Sequence, residues 1–456
     1  MAHPQPTGSK PMTDTSEATI RAGIARWVEK RLSGTVRDIV RLERWRPSWN
    51  VAAETPVGEI KLHFRSDRGT GLETRPLRAE YEVLRLLDEE GVPVPKIYGW
   101  CEDPEAIVMA ALDDHPFHGG ADIDPALHAM IEAYMAILAR IHCIDTAKAA
   151  AAGLAIPKTA EDIALAYFRL ADAAYLKGKA GPEPMIEFFR SWITRNVPMH
   201  RTRAVLLVAD APQFFHDGTA ITAIYDLEMA HVGDPMMDLA SIRVRDINEP
   251  IGGIATLIEA YRIASGEPID WSVLQFHTIV SFMAVPMMTG ATLRGMHPHP
   301  AFVEYLSWDL GASRAAIETL AEVQGIALDP VASLTPQLTR HGEALADLVA
   351  VAEKQRPPDG LLREDRVLSL ARYAKRADEI GPAIDRLEIA EIASLIGHTP
   401  GSIEEAHAAL EAFVLAQGER HEAALIRLFH ASTMRRLQLL EGYPGPIVTR
   451  GLGKAR

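Results

Sequence analysis

The chain has 456 residues, and single hydrophobic cores stop growing at about 250–300 residues, so we expect two or three domains. Apolar residues make up 48% and charged residues 24%, which excludes a collagen-like or wholly disordered chain. The formal net charge of −14 argues against a nucleic-acid partner, because that binding depends largely on a basic surface.

The two cysteines, Cys101 and Cys143, are too few for a disulfide framework, which favours a reducing, cytoplasmic location. Residues 1–15 lack the apolar core of a signal peptide, and we predict a disordered tail there. Residues 278–293 are apolar but shorter than the roughly 20 residues that cross a bilayer. We therefore predict a buried helix at that position and no membrane partner.

Hydrophobic periodicity predicts an N-terminal part that mixes strands with helices. Alternation of apolar and polar residues predicts a strand over 58–65, and an unbroken apolar run predicts another over 106–111. Apolar residues at helical spacing predict helices over 16–32, 78–89 and 126–144. From there on, the pattern is mostly helical.

Two β-rich runs, over 204–208 and 220–225, interrupt the helical part, and Asp217-Gly218 between them is a hairpin signal. Asp210 follows the first run and Asp226 the second, 226 − 210 = 16 residues later. We expect the two carboxylates to lie at neighbouring strand ends. Phosphoryl transfer needs such a pair, one to position the acceptor hydroxyl and one to hold Mg²⁺.

Phosphoryl transfer also needs a cation on the donor phosphates. Lys61 and Arg65 are both candidates, because they share the polar face of the predicted strand. Glu80 on the next helix could hold either cation through an ion pair.

The segment Asp226-Leu-Glu-Met-Ala-His-Val-Gly-Asp-Pro-Met-Met-Asp-Leu-Ala240 resembles the aminoglycoside/choline kinase-like phosphotransferase family, whose metal-binding strand end reads IDWE followed by GDP-x-x-DLA. Glu80-Tyr-Glu-Val-Leu84, Gly91-Val-Pro-Val-Pro95 and Val108-Met-Ala-Ala-Leu112 resemble the same family in the same order. The resemblance spans about residues 30–320. It implies an α+β, protein-kinase-like two-lobe fold and an enzyme that uses ATP and Mg²⁺ to phosphorylate a small molecule.

The resemblance also implies roles for single residues. Arg65 would face the phosphates with Glu80 as its partner, Asp210 would be the catalytic residue, and Asp226 would bind the metal. Gln213 lies nearest to the position of the metal-binding Asn of the family.

Three further assignments rest on the same resemblance. Backbone amides within residues 108–112, including those of Met109 and Ala111, would bind the adenine edge. Asp234 and Asp238 would brace the catalytic loop.

The catalytic loop departs from the family pattern HGD-x-x-x-x-N. Val208 replaces the His, Ala209 replaces the Gly, and the loop is two residues shorter. Two missing residues remove up to roughly 7 Å of reach, so we expect Gln213 not to replace the Asn without backbone movement. Where the family has glycines over the phosphates, this chain has Pro47 and the bulky Trp49, which should weaken phosphate binding there.

We divide the chain into a tail (1–15), a nucleotide-binding lobe (16–112), a helical lobe with the catalytic hairpin (113–325) and a C-terminal helical domain (326–456). The last resembles a small helical domain associated with bacterial kinases, and we expect it to pack on the rest or to form a homodimer.

Three hypotheses follow for the function. The retained carboxylates favour an ATP-dependent phosphotransferase, whereas the altered loop favours a pseudokinase that binds without efficient catalysis. Non-phosphoryl chemistry in the same cleft is the third, because a fold does not fix a function. Acidic residues at Glu161, Asp162 and Asp172 suggest either a cationic acceptor or a solvated helix face.

Overall fold

The computed structural model describes residues 14–42, 46–67, 75–119, 125–294, 301–355 and 366–453. The predicted α+β class is confirmed, with a β-rich N-terminal part followed by helices. Of the predicted tail, residues 1–13 lie outside the described residues, whereas residues 14 and 15 already belong to the first helix.

The strands β1 to β10 are, in chain order, Thr35–Leu42, Ser48–Thr55, Gly58–Ser66, Ile97–Glu102, Glu105–Ala110, His115–Pro116, Val205–Leu207, Phe214–His216, Ile221–Ile224 and His231–Gly233. The helices α1 to α16 are Asp14–Leu32, Leu77–Glu89, Pro125–Ile141, Thr146–Ala151, Ala160–Ala164, Ala166–Gly178, Pro184–Arg195, Met236–Asn248, Ile254–Ser265, Trp271–Leu293, Phe302–Gln324, Gly342–Gln355, Arg366–Ile396, Ile403–Gln417, Glu422–Leu437 and Pro446–Thr449. Short 3-10 helices lie at Gly418–His421 and Gln438–Leu440.

The chain forms two compact units. The first contains residues 1–118, 124–156 and 205–232, and the second contains residues 119–123, 157–204 and 233–456. The predicted division after residue 325 does not separate units, because α15 packs on α11 and α14 packs on α7 within the second unit. Dimerisation through the C-terminal helices stays a prediction.

In the first unit, an antiparallel sheet runs in the order β1-β2-β3-β5-β4. Leu62 and Phe64 on β3 are fully buried and belong to the same core as Trp27 of α1. The ring of Trp27 meets that of Phe64 edge-on, with 5.6 Å between centroids. Because side chains alternate across a strand, Arg65 points to the other face of β3, where the polar groups of the site lie.

Trp49 on β2 is 1% exposed and belongs to this same core. Its indole N–H donates to Glu17 Oε1 at 3.2 Å. The prediction that the bulk of Trp49 would hinder phosphate binding is therefore wrong, since the ring faces the hydrophobic core. Pro47 is held by its carbonyl oxygen, which accepts from the Ser66 amide at 3.0 Å.

The prediction that the runs over 204–208 and 220–225 pair with each other in a hairpin is wrong. The turn at Asp217-Gly218 does join a hairpin, but between β8 and β9, with Phe214 opposite Ile224. Strand β7 pairs with β10 instead. The segment of β8, predicted as loop, forms a strand because Phe214 is buried and stacks between Phe117 and Tyr134.

In the second unit, α10 is the central apolar helix and packs on α11, α6 and α8. Among the described residues it is the one helix long and apolar enough to cross a membrane, with a mean hydropathy of 1.3. That is weak evidence for a membrane span, because 72% of the apolar window is buried in the protein and a core helix passes the same test. The predicted buried helix over residues 278–293 agrees with the buried position of α10 in the second unit.

Candidate functional site

Arg65 and Glu80 form the ion pair that the sequence predicted. Arg65 lies near the end of β3 and Glu80 in the first turn of α2, where it is 4% exposed. Arg65 Nη2 lies 3.1 Å from Glu80 Oε1, and Arg65 Nε donates to Oε2 at 3.4 Å. Lys61, the other candidate, lies on the surface and donates to Asp113 Oδ2 at 2.6 Å. The structure thus places Arg65 in the site.

A second arginine joins this pair and was missed by the sequence analysis. Arg46, just before β2, is 7% exposed and donates through Nη1 to Glu80 Oε2 at 3.1 Å. Its Nη2 donates to the carboxylate of Glu228. The sequence does show a charged side chain in the loop where the family has glycines. It does not show that this side chain lies near Glu80 or Glu228.

Burial and opposite charges act against each other in this group of side chains, and the balance differs between Arg65 and Glu80. Burial by itself lowers the pKa of the Arg65 guanidinium, but the charges of Glu80, Asp226 and Glu228 outweigh burial, and the pKa lies above its usual value. Burial raises the pKa of the Glu80 carboxyl, and the charges of Arg65 and Arg46 oppose that rise. Each buried charge therefore depends on its partners.

Asp226 follows β9 and lies at the centre of the site. Its Oδ1 accepts from Arg65 Nη2 at 2.5 Å. Its backbone has a φ of 62°, in the left-handed region that a non-glycine residue enters at a cost of about 1–2 kcal/mol. Such strain persists where the surroundings fix the residue, and it is frequent at functional sites.

Gln213 joins the two predicted catalytic carboxylates. Its Nε2 donates to Asp210 Oδ2 at 2.7 Å and lies 3.4 Å from Asp226 Oδ2. The Gln213 side chain thus lies beside both carboxylates, although two missing residues were expected to keep it away. Its replacement of the metal-binding Asn stays a prediction.

The loop before Asp210 keeps a glycine-like conformation without a glycine. Ala209 has a φ of 63°, in the left-handed region that glycine favours. Val208 and Ala209 are both buried, at 4% and 3% exposure. The substitutions therefore change the side chains of the loop but leave the backbone geometry that a glycine would favour at position 209.

The predicted adenine contacts conflict with the structure at Ala111. Its amide donates to the Lys61 carbonyl oxygen at 3.1 Å, and the Ala110 amide donates to Lys96 O at 2.8 Å. These donors are engaged because β5 is an inner strand of the sheet. Met109 lies on this strand opposite His63 and Ile97. An adenine contact by Met109 stays a prediction, and the Ala111 amide would first have to leave Lys61.

Asp234 and Asp238 belong to the second unit. Asp234 accepts from Arg201 Nε at 2.7 Å and from the Met236 amide at 2.9 Å. Asp238 is fully buried on α8. Their bracing of the catalytic loop stays a prediction.

The acidic residues considered for a cationic acceptor are paired inside the second unit. Asp172 accepts from Arg190 Nε at 2.5 Å, and Asp162 accepts from Arg169 Nη1 at 2.6 Å. The Arg169 guanidinium lowers the pKa of Asp162 to about 2. These pairs weaken the interpretation of the acidic side chains as an acceptor site.

Within the described ranges, no group of three or more His, Cys, Asp or Glu side chains is arranged to hold a metal ion. A magnesium ion that arrives with a nucleotide needs only one or two carboxylates, because phosphates and waters complete its shell. Asp210 and Asp226 supply two, and a half-turn of the Gln213 amide would bring its Oε1 to the same place. The donor set fits Mg²⁺ that is bound together with phosphates.

Comparison with known proteins gave one family match and a set of similar folds. The model of the phosphotransferase enzyme family matches residues 50–277, which is half of the chain. No curated protein matches the sequence at a significant level.

Solved structures with a similar fold include three phosphotransferases or kinases. A candidate aminoglycoside phosphotransferase from Ralstonia eutropha is 18% identical, with a TM-score of 0.49 over 64% of this chain and 94% of that one. The choline kinase of Streptococcus pneumoniae is 16% identical, with a TM-score of 0.49 over 66% and 99%. A macrolide 2'-phosphotransferase from Brachybacterium faecium is 18% identical, with a TM-score of 0.42 over 60% and 99%. With TM-scores below 0.5, these likenesses carry no weight for the function.

The first prediction concerns the shared carboxylate of Glu80. In Glu80→Ala, two buried guanidinium groups lose their common partner, and the free energy of unfolding should fall by about 3–5 kcal/mol. Urea denaturation followed by tryptophan fluorescence measures this. The matched control is Glu82→Ala on the same helix, which removes surface pairs with Arg78 and Arg85 and should cost at most about 1 kcal/mol. Equal losses in the two variants would contradict the role given to Glu80.

Proposed function

The chain belongs to the phosphotransferase enzyme family, and from that premise we propose that it transfers the terminal phosphoryl group of ATP, with Mg²⁺, to a hydroxyl group of a small molecule. The observation that carries the proposal is the convergence of Asp210, Gln213, Asp226 and Arg65 within the first unit. Phosphoryl transfer is mostly positioning and charge stabilisation, and these four side chains are of the kinds it requires.

Each side chain has a distinct task in this proposal. Asp210 accepts the hydrogen bond of the acceptor hydroxyl and takes its proton as the acceptor oxygen bonds to the terminal phosphorus, whose bond to the departing oxygen of ADP breaks. Arg65 binds the oxygens of the donor phosphates, and Glu80 fixes the orientation of its guanidinium. Asp226 and Gln213 would hold the metal ion. Mg²⁺, when bound, neutralises charge on the phosphates and aligns them.

The charges of the site favour a metal-bound donor. Counted as formal charges, Glu80, Asp210, Asp226 and Glu228 contribute four negative charges against the two positive charges of Arg46 and Arg65, and 2 − 4 = −2. A free triphosphate would be repelled by this excess, whereas a divalent cation would neutralise it. Nucleotide binding should therefore require the metal.

Arg46 gives the loop before β2 a different way to hold phosphates. Pro47 has no amide hydrogen, so position 47 lacks the backbone donor that a glycine would offer there. The Arg46 guanidinium donates to Glu80 and to Glu228. It shares the Glu80 carboxylate with Arg65. A phosphate that displaces Glu228 would gain two charge-assisted hydrogen bonds from one planar group.

A second candidate, nucleotide binding without transfer, is favoured by one observation. The metal-binding carboxylate of Asp226 accepts from Arg65 on one oxygen and lies near Gln213 on the other. A metal ion must compete with both groups. If the metal ion does not displace them, the phosphates are not positioned for the acceptor. The protein would then bind Mg·ATP without transferring its phosphoryl group.

Replacing the proposed catalytic carboxylate tests the phosphotransferase. Asp210→Asn keeps the size of the side chain but cannot hold a proton, so phosphoryl transfer should fall by a factor on the order of a hundred to ten thousand. Transfer from radiolabelled ATP to a panel of hydroxylated small molecules measures it, with circular dichroism as the check on folding. The matched control is Asp217→Asn in the exposed β8–β9 turn, which should leave transfer unchanged. Undiminished transfer in Asp210→Asn would refute the assignment.

Metal dependence is tested without any acceptor. Mg·ATP at about a hundred times its Kd should stabilise the protein by about 2.7 kcal/mol, visible as a rise in Tm. ATP with EDTA should give no rise, because the excess negative charge then meets an unshielded triphosphate. A rise with Mg·ATP but no transfer to any acceptor would favour the second candidate. An equal rise with and without metal would contradict the charge argument.

A further inference from the structure

A cleft in the C-terminal helices lies apart in sequence from every residue given a role above. It has a volume of about 580 Å³ and is lined by side chains of α13, of α15 and of the segment that precedes α12. Apolar walls come from Val331, Leu387, Leu395 and Leu428. Ligand pockets in proteins have volumes of about 300–1,000 Å³ and mostly apolar walls with a few polar groups. By size and lining, this cleft can hold a small molecule.

The wall before α12 is an extended segment held by side chains. Residues 326–339 have no helix or strand, and stretches of that length in compact domains are uncommon unless they are functional or are linkers. Arg427 Nε donates to the Ala327 carbonyl oxygen at 3.2 Å, and Gln438 Nε2 donates to that of Ala332 at 3.1 Å. The segment is thus fastened to the helical layer on both sides of the lining residues Asp329 to Val331.

The polar part of the cleft is an ion pair between the buried Arg435 and the partly exposed Glu391, and it leaves one donor unused. Arg435 is 5% exposed, and its two terminal nitrogens bind the two carboxylate oxygens of Glu391, with Nη1 at 2.8 Å. Arg435 Nε is buried and has no hydrogen-bond partner among the described residues. A buried donor without an acceptor costs free energy, and an oxygen of a ligand in the cleft would remove that cost after a shift of the Arg435 side chain that exposes Nε.

The charges of the cleft select an uncharged polar group. Arg427 and Arg435 balance Asp329 and Glu391, so the charged side chains of the lining sum to zero. An anion at Arg435 would also meet the carboxylate of Glu391, and a cation at Glu391 would meet the guanidinium of Arg435. An amide has an acceptor for Arg435 and a donor for Glu391 within one small group.

We propose that this cleft binds an uncharged amphipathic molecule with an aliphatic body and one amide group. The aliphatic body packs against the leucine side chains of α13 and α15. The amide oxygen accepts from Arg435, and the amide N–H donates to Glu391. The lining residues belong to the second unit, and the proposal does not depend on the proposed phosphotransferase activity.

Isothermal titration calorimetry of the full chain with three probes of equal length tests the proposal. Octanamide should bind, and octanoate and octylammonium should bind at least about tenfold more weakly, because each brings a like charge to the ion pair. Octanoate binding as tightly as octanamide would overturn the assigned polar group. No heat from octanamide at millimolar concentration would overturn the site.

Variants place the binding in the cleft. Ala431→Phe on α15 fills the space and should abolish octanamide binding, whereas Ala416→Phe on the exposed end of α14 should leave it unchanged. Arg435→Gln removes the donor and should weaken binding, with the exposed Arg420→Gln as its control. Since Arg435→Gln could disturb folding, Ala431→Phe decides the outcome. Unchanged octanamide binding in Ala431→Phe would overturn the proposal.

Discussion

The candidate active site depends on the ion pairs that the Glu80 carboxylate forms with two arginines. This carboxylate accepts hydrogen bonds from both Arg46 and Arg65, and these arginines in turn hold Glu228 and Asp226. Buried charges are costly unless they are paired, and removing Glu80 would leave Arg46 and Arg65 with one carboxylate partner each. The first turn of α2 thereby fixes the end of β3, the loop before β2 and the segment after β9 around one point.

The loop over residues 208–213 has a glycine-like backbone conformation and links two carboxylates, although its sequence departs from the family pattern. Ala209 adopts the left-handed conformation in place of a glycine, and Gln213 bridges Asp210 and Asp226 from a shorter loop. The carboxylates therefore meet although the His and the Asn of the family pattern are absent. The side chains near these carboxylates include the guanidinium groups of Arg46 and Arg65, which share the Glu80 carboxylate.

The sequence predicted those parts of the fold and the site that depend on periodicity or on a local motif. Alternation along β3 placed Arg65 opposite the core side chains Leu62 and Phe64, and the order of motifs paired Arg65 with Glu80. Arg46 was missed because its partners lie 34 and 182 residues away, a separation that no local pattern reports. The position of the Gln213 side chain was misjudged because the length of chain between two residues does not determine how close their side chains lie.

The central claim is that Arg65 and Asp226, now paired, separate to receive the phosphates and the metal of a bound nucleotide. A crystal structure with Mg²⁺ and a non-hydrolysable ATP analogue tests it most directly. We predict a metal ion on Asp226, the phosphates on Arg65, and the 2.5 Å contact between these side chains opened. An analogue bound elsewhere, or one bound while that contact stays closed and no metal lies on Asp226, would contradict the account.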